Sequence, residues 1–245
     1  MLQAVTFDLW QTLLLDSAEN LGRARQARVQ GIQEILARSG RAVPLAAVER
    51  AYDLAGRRLE ALWAEHRDAG PRVQIGWMLE ALGADGSAPD DRGRMEALEA
   101  AYCHPILAFM PHPNHNAREV LAALRERGLR LALICNTGRT PGKTLRLVLE
   151  RLGLLPHLSV LTFSDEVGLR KPHPAIFRQT LDALGVEACA AVHIGDDAAT
   201  DIAGARGVGM RAVHICHASS ASATPDAGEA VSTLGAFRDL VLSAP

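Results

Sequence analysis

The hydrophobic positions fall into two regimes. From residue 118 onward, short apolar runs alternate with stretches whose apolar residues recur at helical spacing. That alternation is the pattern of βαβ units feeding a parallel sheet. Strands are predicted over Ala4–Phe7, Leu131–Cys135, Ser159–Phe163, Ala190–Ile194 and Arg211–Ile215. Each is short, apolar and bounded by Gly, Asp, Asn or Ser, as expected of strands buried on both faces. The helices between them have legible ends. Asn116 and Glu119 read as a capping box opening a helix to Arg127, and Gly128 stops it. Pro174 opens another helix that runs to Leu184 before Gly185.

The second regime lies between Asp16 and Pro105, where roughly ninety residues carry no strand-like run, far more than a crossover connection requires. Val29, Ile32 and Leu36 share one helical face, and Leu54, Leu59 and Leu62 suggest a second helix. Gly70-Pro71 breaks the chain before a third segment from Trp77 to Leu82. Gly83 to Gly93 reads as a loop and Met95 to Tyr102 as a fourth helix. The pattern predicts a helical module inserted after the first strand, with hinges at Leu15–Ser17 and Pro105–Pro113. Near the end, Ala218 to Gly228 is a small-residue loop, and no internal repeat is visible.

Composition narrows the function classes. The chain has 245 residues, 48% hydrophobic and 22% charged, ordinary for a globular chain with a full core. A net charge of −2 offers no basic surplus for nucleic acid. No apolar run is long enough to span a bilayer, and the start, with Asp8 and Asp16, does not read as a signal peptide. Cys103, Cys135, Cys189 and Cys216 form no zinc or disulfide spacing. A cytoplasmic location without membrane or nucleic-acid partners is expected; oligomeric state is not encoded legibly. Lys143 and Lys171 are the two lysines, so a mechanism needing one has two candidates.

Four features gather at the carboxyl ends of predicted strands, where open α/β sheets place their sites. Asp8 follows the first strand, in VTFDLWQTLL, and Cys135-Asn136-Thr137-Gly138 closes the second. Lys171 precedes a proline in GLRKPHPAIF, and HIGDDAATD carries Asp196 and Asp201. Singly, each is an ordinary turn. Together they make chemical sense: Asp8 as a carboxylate nucleophile, and Asp196 converging on it to form an oxygen site for a magnesium ion. The ion would shield an anionic nucleophile from an anionic phosphoryl group. Lys171 and the donors of the second motif would neutralise the transferred group.

These motifs, with GxxKPxPxxF and GDxxxxDxxGA intact (Gly195, Asp196, Asp201, Gly204, Ala205), resemble those of the haloacid dehalogenase superfamily of hydrolases, mostly phosphatases. The resemblance covers Met1–Asp16 and Pro111–Ile215. It implies an α/β fold, a Rossmann-like parallel-sheet core in three α/β/α layers formed by residues 1–16 and 105–245. It also implies an inserted all-helical cap over residues 17–104. By the same resemblance Asp8 is the nucleophile, forming an aspartyl-phosphate on a small phosphorylated substrate. Mg2+ is held by Asp8, the Trp10 carbonyl and Asp196. Lys171 stabilises Asp8 and the phosphoryl group, Asp201 orients Lys171 or a metal-bound water, and Cys135, Asn136 and Thr137 contact the transferred group.

Two positions depart from the family. Where its phosphatases carry a second aspartate that protonates the leaving oxygen, this chain has Trp10, and losing a general acid costs ~10²–10⁴-fold. Where they have Ser or Thr before the asparagine, it has Cys135, a weak donor. The expected function is therefore a magnesium-dependent phosphohydrolase favouring good leaving groups. The alternatives are a 2-haloacid dehalogenase, whose halide leaves without a proton and whose carboxylate Arg23, Arg25 or Arg28 would bind, and a weakly catalytic phospho-ligand binder. A phosphonatase is excluded, since the helical module holds no lysine. His104, His112 and His115 read as hinge surface, while His173 and His193 flank the third and fourth motifs.

Overall fold

The computed structural model describes residues 1–83, 91–216 and 229–243. In chain order, β1 (Ala4–Phe7) and the short β2 (Leu14–Leu15) lead into four helices: α1 (Ala18–Arg38), α2 (Leu45–Ala64), α3 (Pro71–Ala81) and α4 (Asp91–Cys103). The chain returns through β3 (His112–Pro113), α5 (Ala117–Glu126), β4 (Arg130–Cys135), α6 (Gly142–Arg151), β5 (Val160–Phe163), α7 (Ser164–Val167) and α8 (Pro174–Leu184). It closes with β6 (Ala191–Gly195), α9 (Ala203–Gly207), β7 (Arg211–Ile215), β8 (Glu229–Val231) and α10 (Leu234–Leu242).

Six strands form one parallel sheet in the order β5-β4-β1-β6-β7-β8. Alternation along β1 divides the core. Val5 and Phe7 face α5, α6 and α10, packing with Val120, Leu145, Val148 and Phe237. Ala4 faces the opposite side with Ile176, Phe177 and Ala205. The result is a Rossmann-like three-layer α/β/α fold. The order reverses on either side of β1, which opens a crevice at its carboxyl end.

The four helices between β2 and β3 bury their own core. Val29, Ile32 and Leu36 of α1 meet Val48, Tyr52 and Leu59 of α2, Ile75 and Met78 of α3, and Leu98 and Tyr102 of α4. On α2 the buried stripe runs through Val48, Ala51, Ala55 and Leu59, so Leu54 and Leu62 lie at its margin. Chain exit and return lie side by side, because β2 pairs antiparallel with β3 through Leu14↔Pro113 and Leu15↔His112. The two predicted hinges thus meet in one ribbon.

Three local expectations need correcting. Asn116 does not cap α5 with its side chain; it takes φ 59°, in the left-handed region, and makes no cap bond. Its neighbour Asn114 instead donates from Nδ2 to the Thr12 carbonyl at 2.7 Å, tying the return strand to the first loop. Asp91 to Gly93 form the first turn of α4 rather than the end of a loop, and residues 84–90 of that loop lie outside the described residues. The sheet also has a sixth strand, β8, which the apolar pattern did not mark. The Ala218–Gly228 loop falls outside the described residues.

Candidate active site

β1, β4 and β6 end together, and their parallel register delivers Asp8, Asn136 and Asp196 to one edge of the sheet. Lys171 arrives from the loop after α7. Its ammonium lies 2.5 Å from Asp8 Oδ1, 2.6 Å from Asp201 Oδ1 and 2.7 Å from the Ile134 carbonyl. All three charged side chains are buried: Asp8 is 6% exposed, Lys171 2% and Asp201 1%. Asp201 is held from three sides. Besides Lys171, it accepts from His193 Nε2 at 3.1 Å and from the Asp197 amide at 3.2 Å. His193 accepts the Thr6 hydroxyl on Nδ1 at 2.8 Å, an assignment that follows from Asp201 being an acceptor only.

The electrostatics follow from one cation among three carboxylates. Burial favours the neutral form of Lys171, but Asp201 and Asp8 outweigh it and hold the ammonium charged. Burial would raise Asp201; Lys171 and His193 overcome this and keep it well below the usual carboxylate range. With Lys171 shared, Asp8 is pushed up to about 7, first by burial and then by Asp201, against the pull of Lys171. Asp196 rises to about 6, again by burial and then by Asp201.

Carboxylate oxygens of Asp8, Asp196 and Asp201 all lie within 4.8 Å of one another. A buried excess of hard anionic oxygens, two of them with raised proton affinity, fits a divalent cation such as magnesium. Asp201 is occupied by Lys171, His193 and the Asp197 amide, which leaves Asp196 and the second carboxylate oxygen of Asp8 to face an ion.

The second motif is more enclosed than its sequence suggests. Cys135 is fully buried at the end of β4, and burial raises its thiol well above the ordinary value. Asn136 clasps the Lys171 backbone: its Oδ1 accepts from the Lys171 amide at 2.8 Å, and its Nδ2 donates to the carbonyl at 3.0 Å. Thr137 is 1% exposed, and its amide donates to Ser164 Oγ at 2.7 Å. Trp10 is half-buried, packed against the core.

Sequence reasoning missed one residue that the structure makes central. Asp68, on the turn between α2 and α3, has a fully buried carboxylate. It accepts from Ser164 Oγ, from Trp63 Nε1 at 3.1 Å, from the Ala69 amide at 2.8 Å and from Arg170 at 3.3 Å. Arg170 in turn lies 4.1 Å above the Trp63 ring. No local pattern announces this cluster, since its members are separated by up to about a hundred positions. Asp68 therefore fastens the helical module to the loop that carries Lys171.

Between the helical module and the sheet edge lies a cavity of about 440 Å³, bounded at the sheet by Trp10, Asn136 and Thr137. Its walls are chiefly apolar, with Tyr52, Trp63, Ile106 and Phe109. Asp16 is its one carboxylate, and no histidine lines it among the described residues. His104, His112 and His115 are exposed, His173 caps α8, and His193 is inside the sheet.

Comparison with known proteins agrees with this geometry. A family model for haloacid dehalogenase-like hydrolases matches residues 2–209. A phosphoserine phosphatase of Thermus thermophilus is 34% identical, over 87% of this chain and 88% of its own. A phosphoglycolate phosphatase of Rhodospirillum rubrum is 33% identical over 69% and 66%. Among solved structures, a 2-haloacid dehalogenase of Pseudomonas syringae superposes with a TM-score of 0.69 at 24% identity, covering 99% of both chains. At that identity the likeness speaks for the fold alone.

Proposed function

The chain belongs to the haloacid dehalogenase-like hydrolases, and we propose that it is a magnesium-dependent phosphohydrolase of small phosphorylated molecules. The observation that carries the reading is the buried Asp8–Lys171–Asp201 chain with Asp196 beside it. In this reading Asp8 attacks phosphorus, the bond to the leaving oxygen breaks, and an aspartyl-phosphate forms; water then cleaves it and restores Asp8. Asp8, Asp196 and the Trp10 carbonyl hold Mg2+, which when bound supplies positive charge against the two approaching anions. Lys171 pulls Asp8 toward its ionised form and neutralises charge on the transferred group. Asp201 and His193 fix Lys171, and Asn136 fixes its backbone, so the ammonium stays aimed at Asp8. Thr137 borders the transferred group, whereas Cys135 is sealed at the end of β4 and does not reach it. The four helices α1–α4, residues 17–104, act as the cap that closes over residues 1–16 and 105–245 and excludes water.

The Trp10 indole is far too weak an acid to give up its proton, so the leaving group must depart with little help. Acyl phosphates and anhydrides meet that demand better than alkyl esters. The test is phosphate release from acetyl phosphate and from a phosphomonoester, with and without magnesium, using Asp8→Asn as the blank. Release that needs both magnesium and Asp8, and favours acetyl phosphate, is expected. No release, with chloride freed from 2-chloropropionate instead, would overturn the reading in favour of dehalogenation at carbon.

A further inference from the structure

One peptide unit beside the site is held at both of its polar ends by side chains. It joins Asp196 to Asp197 in the turn after β6. Its N–H, that of Asp197, donates to Asp201 Oδ2 at 3.2 Å, and its carbonyl, that of Asp196, accepts from His214 Nε2 at 2.8 Å. No other protein group donates to that carbonyl among the described residues. His214 stands near the carboxyl end of β7, where the parallel register sets it beside Gly195. It is 2% exposed, and its other ring nitrogen, Nδ1, lies 3.3 Å from Cys216 Sγ. A carbonyl can only accept, so Nε2 carries the proton and Nδ1 accepts from the thiol. Asp197 turns its own carboxylate elsewhere: its Oδ1 accepts from the Ala199 and Thr200 amides at 2.9 and 2.7 Å, capping the turn that delivers Asp201.

A peptide unit is a rigid plane. A single bond would leave this one free to turn; two bonds from opposite sides fix it. With β6 holding the other side of the Asp196 Cα, the direction in which the Asp196 carboxylate leaves the chain is then set. We propose that His214 is a positioning residue of the reaction: its bond to the Asp196 carbonyl, with the ring held by Cys216, aims the Asp196 carboxylate at the divalent ion. Groups behind a metal ligand set its orientation in this way. The two pins are anchored independently, Asp201 by Lys171 and His193 and His214 by Cys216. The aim of Asp196 therefore depends on β7 as well as on the motif that contains it, through a residue 18 positions away. This assignment rests on Asp196 holding the magnesium of the proposed phosphohydrolase.

Calorimetric titration of magnesium into the protein reads the aim of Asp196 with no turnover involved. His214→Leu keeps a side chain in the buried place and deletes the donor; magnesium affinity should fall by about 10–100-fold, as it does when a group behind a metal ligand is lost. His214→Gln, whose amide can donate to the same carbonyl, should recover most of that loss. Cys216→Ala, which only frees the ring, should give a smaller fall. Nitrogen NMR of the magnesium-free parent protein should find the His214 proton on Nε2. Urea unfolding separates the roles, since a merely structural histidine would shift the midpoint and leave magnesium affinity alone. Unchanged affinity in His214→Leu, an equal loss in His214→Gln, or a ring proton on Nδ1 alone would each overturn the proposal. A parent protein that binds no magnesium would overturn it together with the magnesium reading. Failure of phosphate release in a protein whose magnesium affinity follows this series would instead count against the reaction and leave the assignment standing.

Discussion

Gly195 leaves free the space that the Asp201 carboxyl fills: a Cβ at Gly195 would lie 2.3 Å from Asp201 Cγ. The glycine before Asp196 is thus required by packing behind the site. Asp201 could move only by releasing Lys171 and His193.

Gly195→Ala is accordingly expected to destabilise the protein by about 1–3 kcal/mol, the usual cost of overpacking, and to lower phosphate release with it. Gly76→Ala is the control. Nothing lies within 4 Å of that added methyl, in the middle of α3, so it should stabilise by about 0.5–1 kcal/mol. Urea unfolding of both variants checks the contrast.

Trp10→Asp restores a carboxylate where the family's phosphatases keep one. Turnover of a simple phosphomonoester should rise by about 10²-fold or more, while acetyl phosphate, whose leaving group needs no proton, should gain far less. Equal gains for both substrates, in steady-state kinetics, would break the link between Trp10 and leaving-group demand.

Magnesium should bind the protein as isolated, and Asp196→Ala should remove that site. Titration calorimetry decides it. Binding that survives in Asp196→Ala would place the ion elsewhere. Asp201→Asn should instead disturb catalysis more than ion affinity, because Asp201 is taken up by Lys171 and His193.

Asp68→Ala takes the carboxylate from Arg170 and Ser164, which keep only hydrogen bonds to Thr137, and leaves Trp63 Nε1 without its acceptor. Breaking a buried pair from one side costs about 3–5 kcal/mol. Hydrogen exchange should quicken first along α2 and α3, on either side of the Asp68 turn. Uniform acceleration throughout the chain would show that the turn is no special fastening.

Glu99 of α4 supplies a pH-dependent contact. Burial raises its carboxyl, but Lys143 of α6 and Arg72 of α3 outweigh burial and hold it below its ordinary value of 4.5. A lowered carboxylate contributes stability that is complete above 4.5 and lost as pH falls through the folded-state value. Unfolding midpoints should therefore drop less between pH 5.5 and pH 3 in Glu99→Gln than in the parent protein.

Much of the fold is legible because buried parallel strands must be apolar on both faces. Ala4–Phe7 and Arg211–Ile215 stand in the structure with the bounds that the apolar runs predict. β8 escaped because Glu229 and Ala230 sit exposed on an edge strand, where no apolar demand operates. The site divides the same way. Asp8, Lys171, Asp196 and Asp201 are brought together because each closes or follows a strand end. The roles of Asn136 and Asp68 were hidden, since a clasp on the Lys171 backbone and a bond to Ser164 depend on tertiary proximity that no local spacing encodes.

The scarcity of lysine carries a practical consequence. Lys171 is sealed behind Asp8, whereas Lys143 has a side chain 53% exposed and reaches Glu99 across the junction between α6 and α4. Amine-directed reagents should therefore acylate the amino terminus and Lys143 and spare Lys171. With the amino terminus blocked first, a fluorophore coupled at Lys143 would sit on the seam between the helices and the sheet and report their separation in solution.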